Sequence, residues 1–219
     1  MPCRIAIDGP AGSGKTSVAK LLAKKLGFYY LDTGAMYRIV GLYLKNKNID
    51  EKSHEEIEKE LKKLNIQFKE GHFLVNGKEV SDEIRTPEVG IYASRFASVP
   101  IVRKYLTELQ RKISLNENIV VEGRDIGTVV IPDAEVKIFL TATQEARAKR
   151  RYKELTNRGV KVNFEDILNE IILRDKQDSE REIAPLMKAK DAIEIDSTEY
   201  SLEEVVDMIY EVVKEKCKL

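Results

Sequence analysis

Apolar residues along the chain follow two alternating repeat periods, and the alternation predicts a succession of strands and helices. Short apolar runs bounded by turn residues predict five buried β-strands, at Arg4–Asp8, Phe28–Leu31, Asn118–Glu122, Val136–Leu140 and Ala192–Ile195. Helical spacing predicts helices at residues 15–26, 35–47, 53–64, 86–115, 143–156, 163–178 and 201–216. Strands that alternate with helices in this way favour an α/β fold, with a parallel five-stranded sheet flanked by helices.

One segment departs from the alternation. Residues 66–80 place apolar and polar residues alternately about Asn76-Gly77, which is typical of a β-hairpin. The predicted helix that follows, at 86–115, is interrupted at Pro100. Pieces inserted near the ligand mouth of a sheet often hold a second substrate, so we expect the hairpin to belong to an acceptor-binding insertion.

The composition is informative mainly because it excludes some classes of partner. The 219 residues include 37 basic and 37 acidic side chains, so bulk charge gives no argument for nucleic acid or an anionic membrane as a partner. No apolar run approaches the roughly 18 residues that a membrane helix needs, and the first apolar run is too short for a signal peptide. We therefore expect a cytoplasmic protein with neither a nucleic-acid nor a membrane partner.

The two cysteines lie near opposite ends of the sequence, at Cys3 and Cys217. They form no C-x-x-C or zinc-type spacing, and with only His54 and His72 there is no metal cluster to propose. For a cytoplasmic protein we expect both cysteines to be reduced thiols.

The strongest chemical signal is the loop between the first strand and the first helix, which fits the pattern G-x-x-x-x-G-K-[ST]. Its residues are Gly9, Pro10, Ala11, Gly12, Ser13, Gly14, Lys15 and Thr16, followed by Ser17. The glycines let successive backbone N–H groups point at phosphate oxygens, and the helix that begins there adds its positive end. The pattern predicts that Lys15 bridges the β- and γ-phosphates of a nucleoside triphosphate and that the Thr16 hydroxyl is a ligand of Mg²⁺.

Other motifs narrow the class of phosphate-loop protein. The guanine-reading N-K-x-D motif and a switch-type Asp-x-x-Gly are absent from the sequence, and the chain is short for a motor or a transporter. A compact kinase for a small molecule remains, and such an enzyme needs cations from several segments to shield the phosphates. Candidates are Arg38, Arg124 beside Asp125, the set Arg147, Arg150 and Arg151, and the set Arg174, Asp178 and Arg181.

Helical spacing places each of these two sets on one face, the second only if its helix continues to Arg181. Each set is equally compatible with a solvated, salt-bridged surface, for example with Glu145 and Glu154 as partners. Beside a phosphate loop, functional roles are the better interpretation.

Five segments resemble signatures of the bacterial-type cytidylate kinases. They are IDGPAGSGKT at 7–16, LDTGAMYR at 31–38, EGRDIGTVVIPDA at 122–134, KIFLTA at 137–142 and REIAPL at 181–186. The segment at 122–134 is the most specific, because other small kinases with a phosphate loop do not share G-R-D-I-G-T-V-V. The resemblance extends from the phosphate loop to the C-terminal helix, and it implies the P-loop nucleoside monophosphate kinase fold.

The resemblance also implies roles for matching residues. Thr33 and Ser94 would contact the cytosine, and Arg38 and Arg111 would bind the acceptor phosphate. Further contacts to CMP would come from Gly123, Arg124, Asp125, Arg174, Asp178 and Arg181, with Asp178 on the ribose hydroxyls. The implied catalytic residues are Lys15, Arg124, Arg147, Arg151 and Arg174. Gln177 and Ser179 stand where many members have arginine, so the resemblance implies a less basic lid here.

One kinase domain in three parts is implied. These parts are a core (about 1–36, 98–146 and 182–219), a CMP-binding insertion (about 37–97) and a helical lid (about 147–181). The resemblance implies a monomer that converts ATP and CMP or dCMP to ADP and CDP or dCDP, by in-line transfer with Mg²⁺.

Two other functions stay open from the residues alone. A kinase of the same architecture for another small acceptor would have the same loop, and only its acceptor would differ. A nucleotide-gated binding module would bind ATP without turning over an acceptor. The convergent arginines argue against the module, because a switch needs no second anion pocket.

Overall fold

The computed structural model describes residues 2–69, 71–80, 82–157 and 159–219. Their strands are β1 (Arg4–Asp8), β2 (Tyr29–Asp32), β3 (Ile66–Lys69), β4 (His72–Val75), β5 (Lys78–Glu79), β6 (Ile119–Gly123), β7 (Val136–Thr141) and β8 (Ile193–Asp196). Their helices are α1 (Lys15–Leu26), α2 (Thr33–Asn46), α3 (His54–Leu61), α4 (Pro87–Phe96), α5 (Pro100–Ser114), α6 (Gln144–Asn157), α7 (Phe164–Glu180) and α8 (Leu202–Cys217). The chain divides into two compact units, Met1–Tyr30 with Glu117–Leu219 and Leu31–Asn116.

The first unit is organised by a five-stranded parallel sheet, as predicted, with the strand order β2-β6-β1-β7-β8. Strand β1 is central and pairs in parallel with both β6 and β7. The register places Asp8, the last residue of β1, opposite Gly123, the last residue of β6. The loops that follow these two strands therefore begin side by side at the carboxyl edge of the sheet.

Helices α1 and α8 pack against this sheet through their apolar stripes. Val18 and Leu22 of α1 and Val206 and Ile209 of α8 join one buried cluster with the strand residues. Helix α8 begins with a capping box, in which the Ser201 hydroxyl accepts from the backbone N–H of Glu204 while the Glu204 carboxylate accepts from Ser201 N. These local signals explain why both helices begin and end close to their predicted bounds.

The prediction of two reduced thiols is wrong for this structure. Cys3, at the start of β1, forms a disulfide with Cys217, the last residue of α8, with 5.8 Å between their Cα atoms. Both residues pack into the cluster between the sheet and α8. The sequence spacing gave no sign of this pairing, because the packing of a terminal helix on a terminal strand determines it.

The second unit contains α2 to α5 and a small antiparallel sheet. The predicted hairpin at 66–80 is a three-stranded sheet, β3-β4-β5, so the single-hairpin prediction is corrected. The expected turn does lie at Asn76-Gly77, where both residues have positive φ, and a second reversal at Gly71 (φ 84°) separates β3 from β4. Glu70, within the predicted hairpin, lies outside the described residues.

Two helix predictions can be compared directly. The interruption at Pro100 is confirmed, because α4 ends at Phe96 and α5 begins at Pro100. Helix α7 ends at Glu180, close to its predicted end at about 178, and the condition for placing Arg181 on the same face is not met, since Arg181 has an extended backbone (φ −64°, ψ 139°). The chain turns back there, and Leu186 N donates to Asp178 O at 2.7 Å. No helix in the described part of the chain is both long and apolar enough to cross a membrane.

Candidate active site

The phosphate loop joins β1 to α1. Three of its glycines, Gly9, Gly12 and Gly14, have positive φ angles, which side-chain-bearing residues rarely adopt. At Gly9 an added Cβ would lie only 2.0 Å from the carbonyl oxygen of Leu140, so this position also requires glycine for close approach. Helix α1 begins at Lys15, and its unpaired first N–H groups face an anion in loops of this kind.

Lys15 is buried within the loop. Its Nζ donates to the carbonyl oxygen of Pro10 at 2.6 Å and lies 3.4 Å from Ser13 Oγ. Burial lowers the pKa of Lys15 well below its usual value, and the positive charge of Arg124 lowers it further, while neighbouring carboxylates oppose the shift. A phosphate at this position would add negative charge beside Nζ and would therefore favour the charged lysine.

Thr16 is exposed in the first turn of α1, and Ser17 follows it. In the described residues no three His, Cys, Asp or Glu side chains are grouped as a metal cage. A single hydroxyl with nucleotide phosphates and water fits Mg²⁺, which seldom uses an all-protein cage. The residues present therefore fit a magnesium ion that arrives with the nucleotide.

Asp8 is a buried carboxylate that the sequence predictions did not include. It accepts hydrogen bonds from Ile126 N at 2.8 Å and Gly127 N at 2.7 Å. Burial raises the pKa of Asp8 to about 6, and the two backbone bonds lower it in part. The carboxylate thus ties the end of β1 to the turn that follows Arg124 and Asp125. An acidic residue at the end of an apolar strand was the available signal.

Four predicted acceptor residues converge at the carboxyl end of β6. Arg124 Nε donates to Asp178 Oδ2 at 2.8 Å, and Arg181 lies 3.6 Å from Asp125 and 3.8 Å from Asp178. Burial raises the pKa of Asp178, but Arg124, Arg174 and Arg181 outweigh it, so the pKa lies below its usual value. Helix α7 and the turn after it bring these groups to the turn that follows β6.

The three arginines of α6 do not act as one face. Arg147 is buried and bonds to Ala11 O and Asp175, whereas Arg150 bonds to the hydroxyl and carbonyl oxygen of Ser197. Arg151 is exposed and pairs with Glu154 at 2.8 Å. The expected common cationic face is therefore divided among three environments. Arg158, within the predicted lid, lies outside the described residues.

The remaining predicted acceptor residues belong to the second unit. Thr33 is buried at the start of α2, and Arg38 lies half-buried on the same helix. Ser94 on α4 and Arg111 near the end of α5 are both exposed.

Arg103 is a buried cation of the second unit that the sequence predictions did not include. It is 4% exposed, donates to Ala97 O at 3.1 Å and lies with its guanidinium 5.6 Å from the Tyr37 ring centroid. Tyr37 is next to Arg38 in α2. The signal in the sequence was a cation on the apolar stripe of α5, next to Val102 and one turn before Leu106.

A family model and three relatives of this chain carry the same description. The family model described as "Cytidylate kinase" matches residues 5–215. The cytidylate kinase of Thermosipho melanesiensis is 69% identical over 219 residues, covering 100% of both chains. That of Thermosipho africanus is 68% identical over 100% of this chain and 98% of its own length, and that of Thermotoga maritima is 52% identical over 99% of each.

Solved structures show the fold alone, because their sequence identity to this chain is low. An uncharacterized protein from Eubacterium ventriosum gives a TM-score of 0.53 at 16% identity, covering 97% of this chain and 98% of that chain. A shikimate kinase from Bacteroides thetaiotaomicron gives 0.50 at 13% identity, with the same coverage. Both likenesses support the overall fold of the chain.

Proposed function

The chain belongs to the cytidylate kinase family, and from that premise we propose that it transfers the γ-phosphoryl group of ATP, with Mg²⁺, to CMP and dCMP. One observation supports the proposal most directly. A complete phosphate loop follows β1, and Arg124, which forms a cluster with Asp178 and Arg181, follows the neighbouring strand β6. Neighbouring parallel strands end at the same edge, so donor and acceptor phosphates have a common place to meet.

On the donor side, the loop residues Gly9 to Ser17 bind the triphosphate through backbone N–H groups. Lys15 turns from Pro10 O to the β- and γ-phosphates, where its charge opposes the charge that develops during transfer. Thr16 holds Mg²⁺, which when bound neutralises phosphate charge. This assignment is supported by the glycine conformations and by the buried position of Lys15 in the loop, where a bound phosphate would favour its charged form.

On the acceptor side, Gly123, Arg124, Asp125 and Arg181 bind CMP together with Arg174. Asp178 accepts hydrogen bonds from the ribose hydroxyls, and its lowered pKa keeps it ionised for that purpose. Thr33 and Ser94 contact cytosine, while Arg38 and Arg111 bind the acceptor phosphate.

The acceptor phosphate is already ionised near neutral pH, so the reaction needs no strong general base. Alignment of the two phosphates and shielding of their charge supply the catalysis. We assign these tasks to Lys15, Arg124, Arg151 and Arg174. We also assign the insertion at about 37–97 to CMP binding and the segment at about 147–181 to a lid for ATP. Closure of both would exclude water and limit wasteful ATP hydrolysis. A cytoplasmic monomer stays a prediction that size-exclusion chromatography and cell fractionation would test.

A coupled assay of ADP release, with ATP–Mg²⁺ and a panel of acceptors, tests the proposal. The acceptors are CMP, dCMP, UMP, AMP, GMP, shikimate and dephospho-coenzyme A. We expect rapid turnover only with CMP and dCMP. Turnover confined to a different acceptor would keep the phosphate loop but overturn the CMP assignments. Tight ATP binding without turnover of any acceptor would instead favour a binding module.

A further inference from the structure

Arg147 directs all three nitrogens of its guanidinium at the protein itself. Nε donates to Ala142 O at 3.0 Å, and Nη1 donates to Ala11 O at 2.8 Å and to Asp175 Oδ1 at 2.9 Å. Nη2 donates to Asp175 Oδ2 at 2.5 Å, and the side chain is only 3% exposed. Because its nitrogens already donate to these protein acceptors, the guanidinium has little donor capacity left for a ligand.

The bond to Ala11 acts on the phosphate loop. The described peptide bonds are all trans, so the carbonyl of Ala11 and the N–H of Gly12 point in opposite directions. Because Arg147 binds the carbonyl oxygen of Ala11, the N–H of Gly12, on the opposite side of the same peptide, points away from Arg147. A Cβ added at Gly12 would lie 3.2 Å from Arg147 Cβ, so the arginine also packs directly on the loop there.

Asp175 fixes the orientation of Arg147. Its two carboxylate oxygens accept from Nη1 and Nη2 in a forked pair, the strongest geometry available to arginine. Gln144 Nε2 lies 3.4 Å from the same carboxylate. Asp175 belongs to α7 and Arg147 to α6, and these helices share an apolar cluster built on Ala148, Ile167 and Ile171. The pair therefore connects both helices to the phosphate loop.

We infer that Arg147 is a positioning residue rather than a phosphate ligand: oriented by Asp175, it sets the Ala11–Gly12 peptide so that the loop presents its N–H groups to the triphosphate. This inference rests on the proposed binding of ATP at the loop. It replaces the direct catalytic role that sequence motifs predicted for Arg147, and it extends the binding machinery to Asp175.

The decisive variant is Asp175→Asn, compared with Arg147→Lys and with the double variant. If Arg147 acts through the loop, Asp175→Asn raises the KM and the Kd for ATP about tenfold, the size of coupling expected within one hydrogen-bonded network. The KM for CMP stays within about twofold of wild type. The double variant is no worse than Arg147→Lys alone. Glu145→Gln, an exposed change on the same helix but outside the proposed lid, is the matched control and should leave all constants unchanged.

A direct phosphate ligand would behave differently. Asp175→Asn would then release the guanidinium, so ATP affinity would hold or increase, and the two substitutions would add. Either result overturns the inference. The Kd for ATP–Mg²⁺ is measured by calorimetry, with circular dichroism as the folding check, so the test works even if CMP is not the acceptor. Failure of wild type to turn over CMP would count against the proposed function and leave this comparison intact.

Discussion

Reducing the disulfide between Cys3 and Cys217 should lower the thermal stability of the protein by an amount that depends on the loop it closes. The bond joins residues separated by 214 positions, so it links the start of β1 to the end of α8. A cross-link over nearly the whole chain removes conformations mainly from the unfolded state.

The size of the effect follows from the loop length. The chain-entropy relation gives a loss of about 18 cal/mol/K for a loop of this length, or about 5 kcal/mol at 25 °C, as an upper value. The unfolding entropy of a chain of 219 residues is about 460 cal/mol/K near 60 °C. Dividing the free energy lost on reduction by this unfolding entropy predicts a fall in Tm of up to about 12 °C.

The assay compares oxidised protein with protein that was unfolded, reduced and refolded under reductant. Tm is measured by circular dichroism at one pH, and free thiols are counted in denaturant before and after reduction. Cys217→Ser is the better cysteine variant, because Cys3 is nearly fully buried and a serine there would add the cost of a buried hydroxyl. Its Tm should match that of reduced wild type and should not respond to reductant.

Two results would refute this reasoning. Two free thiols in the unreduced native protein would show that the disulfide does not form in solution. An unchanged Tm after verified reduction would show that the bond forms but does not constrain the unfolded chain. A fall in Tm in the Cys217→Ser variant on adding reductant would point to an effect unrelated to the disulfide.

Four further predictions concern the charged groups of the first unit. The pKa of Asp8 is raised from 3.8 to about 6, so Asp8 binds more protons in the native state than in the unfolded chain between these values. Its contribution to the unfolding free energy should therefore fall by about 3 kcal/mol as pH rises through that window. Carboxylates with a lowered pKa, such as Asp178, contribute in the opposite direction, so urea unfolding measures the difference between wild type and Asp8→Asn across that range; the same pH dependence in both proteins would contradict the prediction. Lys15→Ala should remove most kinase activity while the exposed Lys24→Ala does not, and near-normal kcat for Lys15→Ala would contradict the donor assignment. In steady-state kinetics, Arg124→Ala should raise the KM for CMP more than the KM for ATP, and a larger rise in the KM for ATP would contradict the assignment of Arg124. Asp178→Ala should narrow the difference in kcat/KM between CMP and dCMP, and an unchanged ratio of these two values would contradict the assignment of Asp178.

The sheet and most helices could be predicted because their signals are local. Apolar periodicity, the stop at Gly27 and the capping box at Ser201 act within a few residues, and the structure agrees with them. The small sheet could be predicted only in part, because Asn76-Gly77 is a strong turn signal, whereas a single glycine, Gly71, marks the second reversal. The end of α7 agrees closely with its prediction, but the turn after the helix could not be predicted, because a bond from Leu186 N back to Asp178 O holds it.

The unpredicted features of the site are contacts between distant segments. Asp8 with Gly127 and Arg147 with Asp175 are side chains whose partners lie far away in sequence, and only the folded sheet and helices bring them together. A motif names the residues of a loop, but it does not say which carbonyl oxygen an arginine will hold. For that reason the three arginines of α6 looked alike in sequence and differ in the structure.

The charges of the first unit indicate where a ligand's charge belongs. Burial lowers the pKa of Lys15, and the nearby charge of Arg124 lowers it further. Burial also raises the pKa of Asp8, and Asp125 adds a smaller effect in the same direction. Like charges placed together in a buried region cost stability, and such perturbed groups gather where a protein binds or reacts. A phosphate beside Lys15 and Arg124 would relieve the repulsion between the two cations. The buried position of Lys15 next to Arg124 is therefore better explained by a polyphosphate ligand than by the stability of the chain alone.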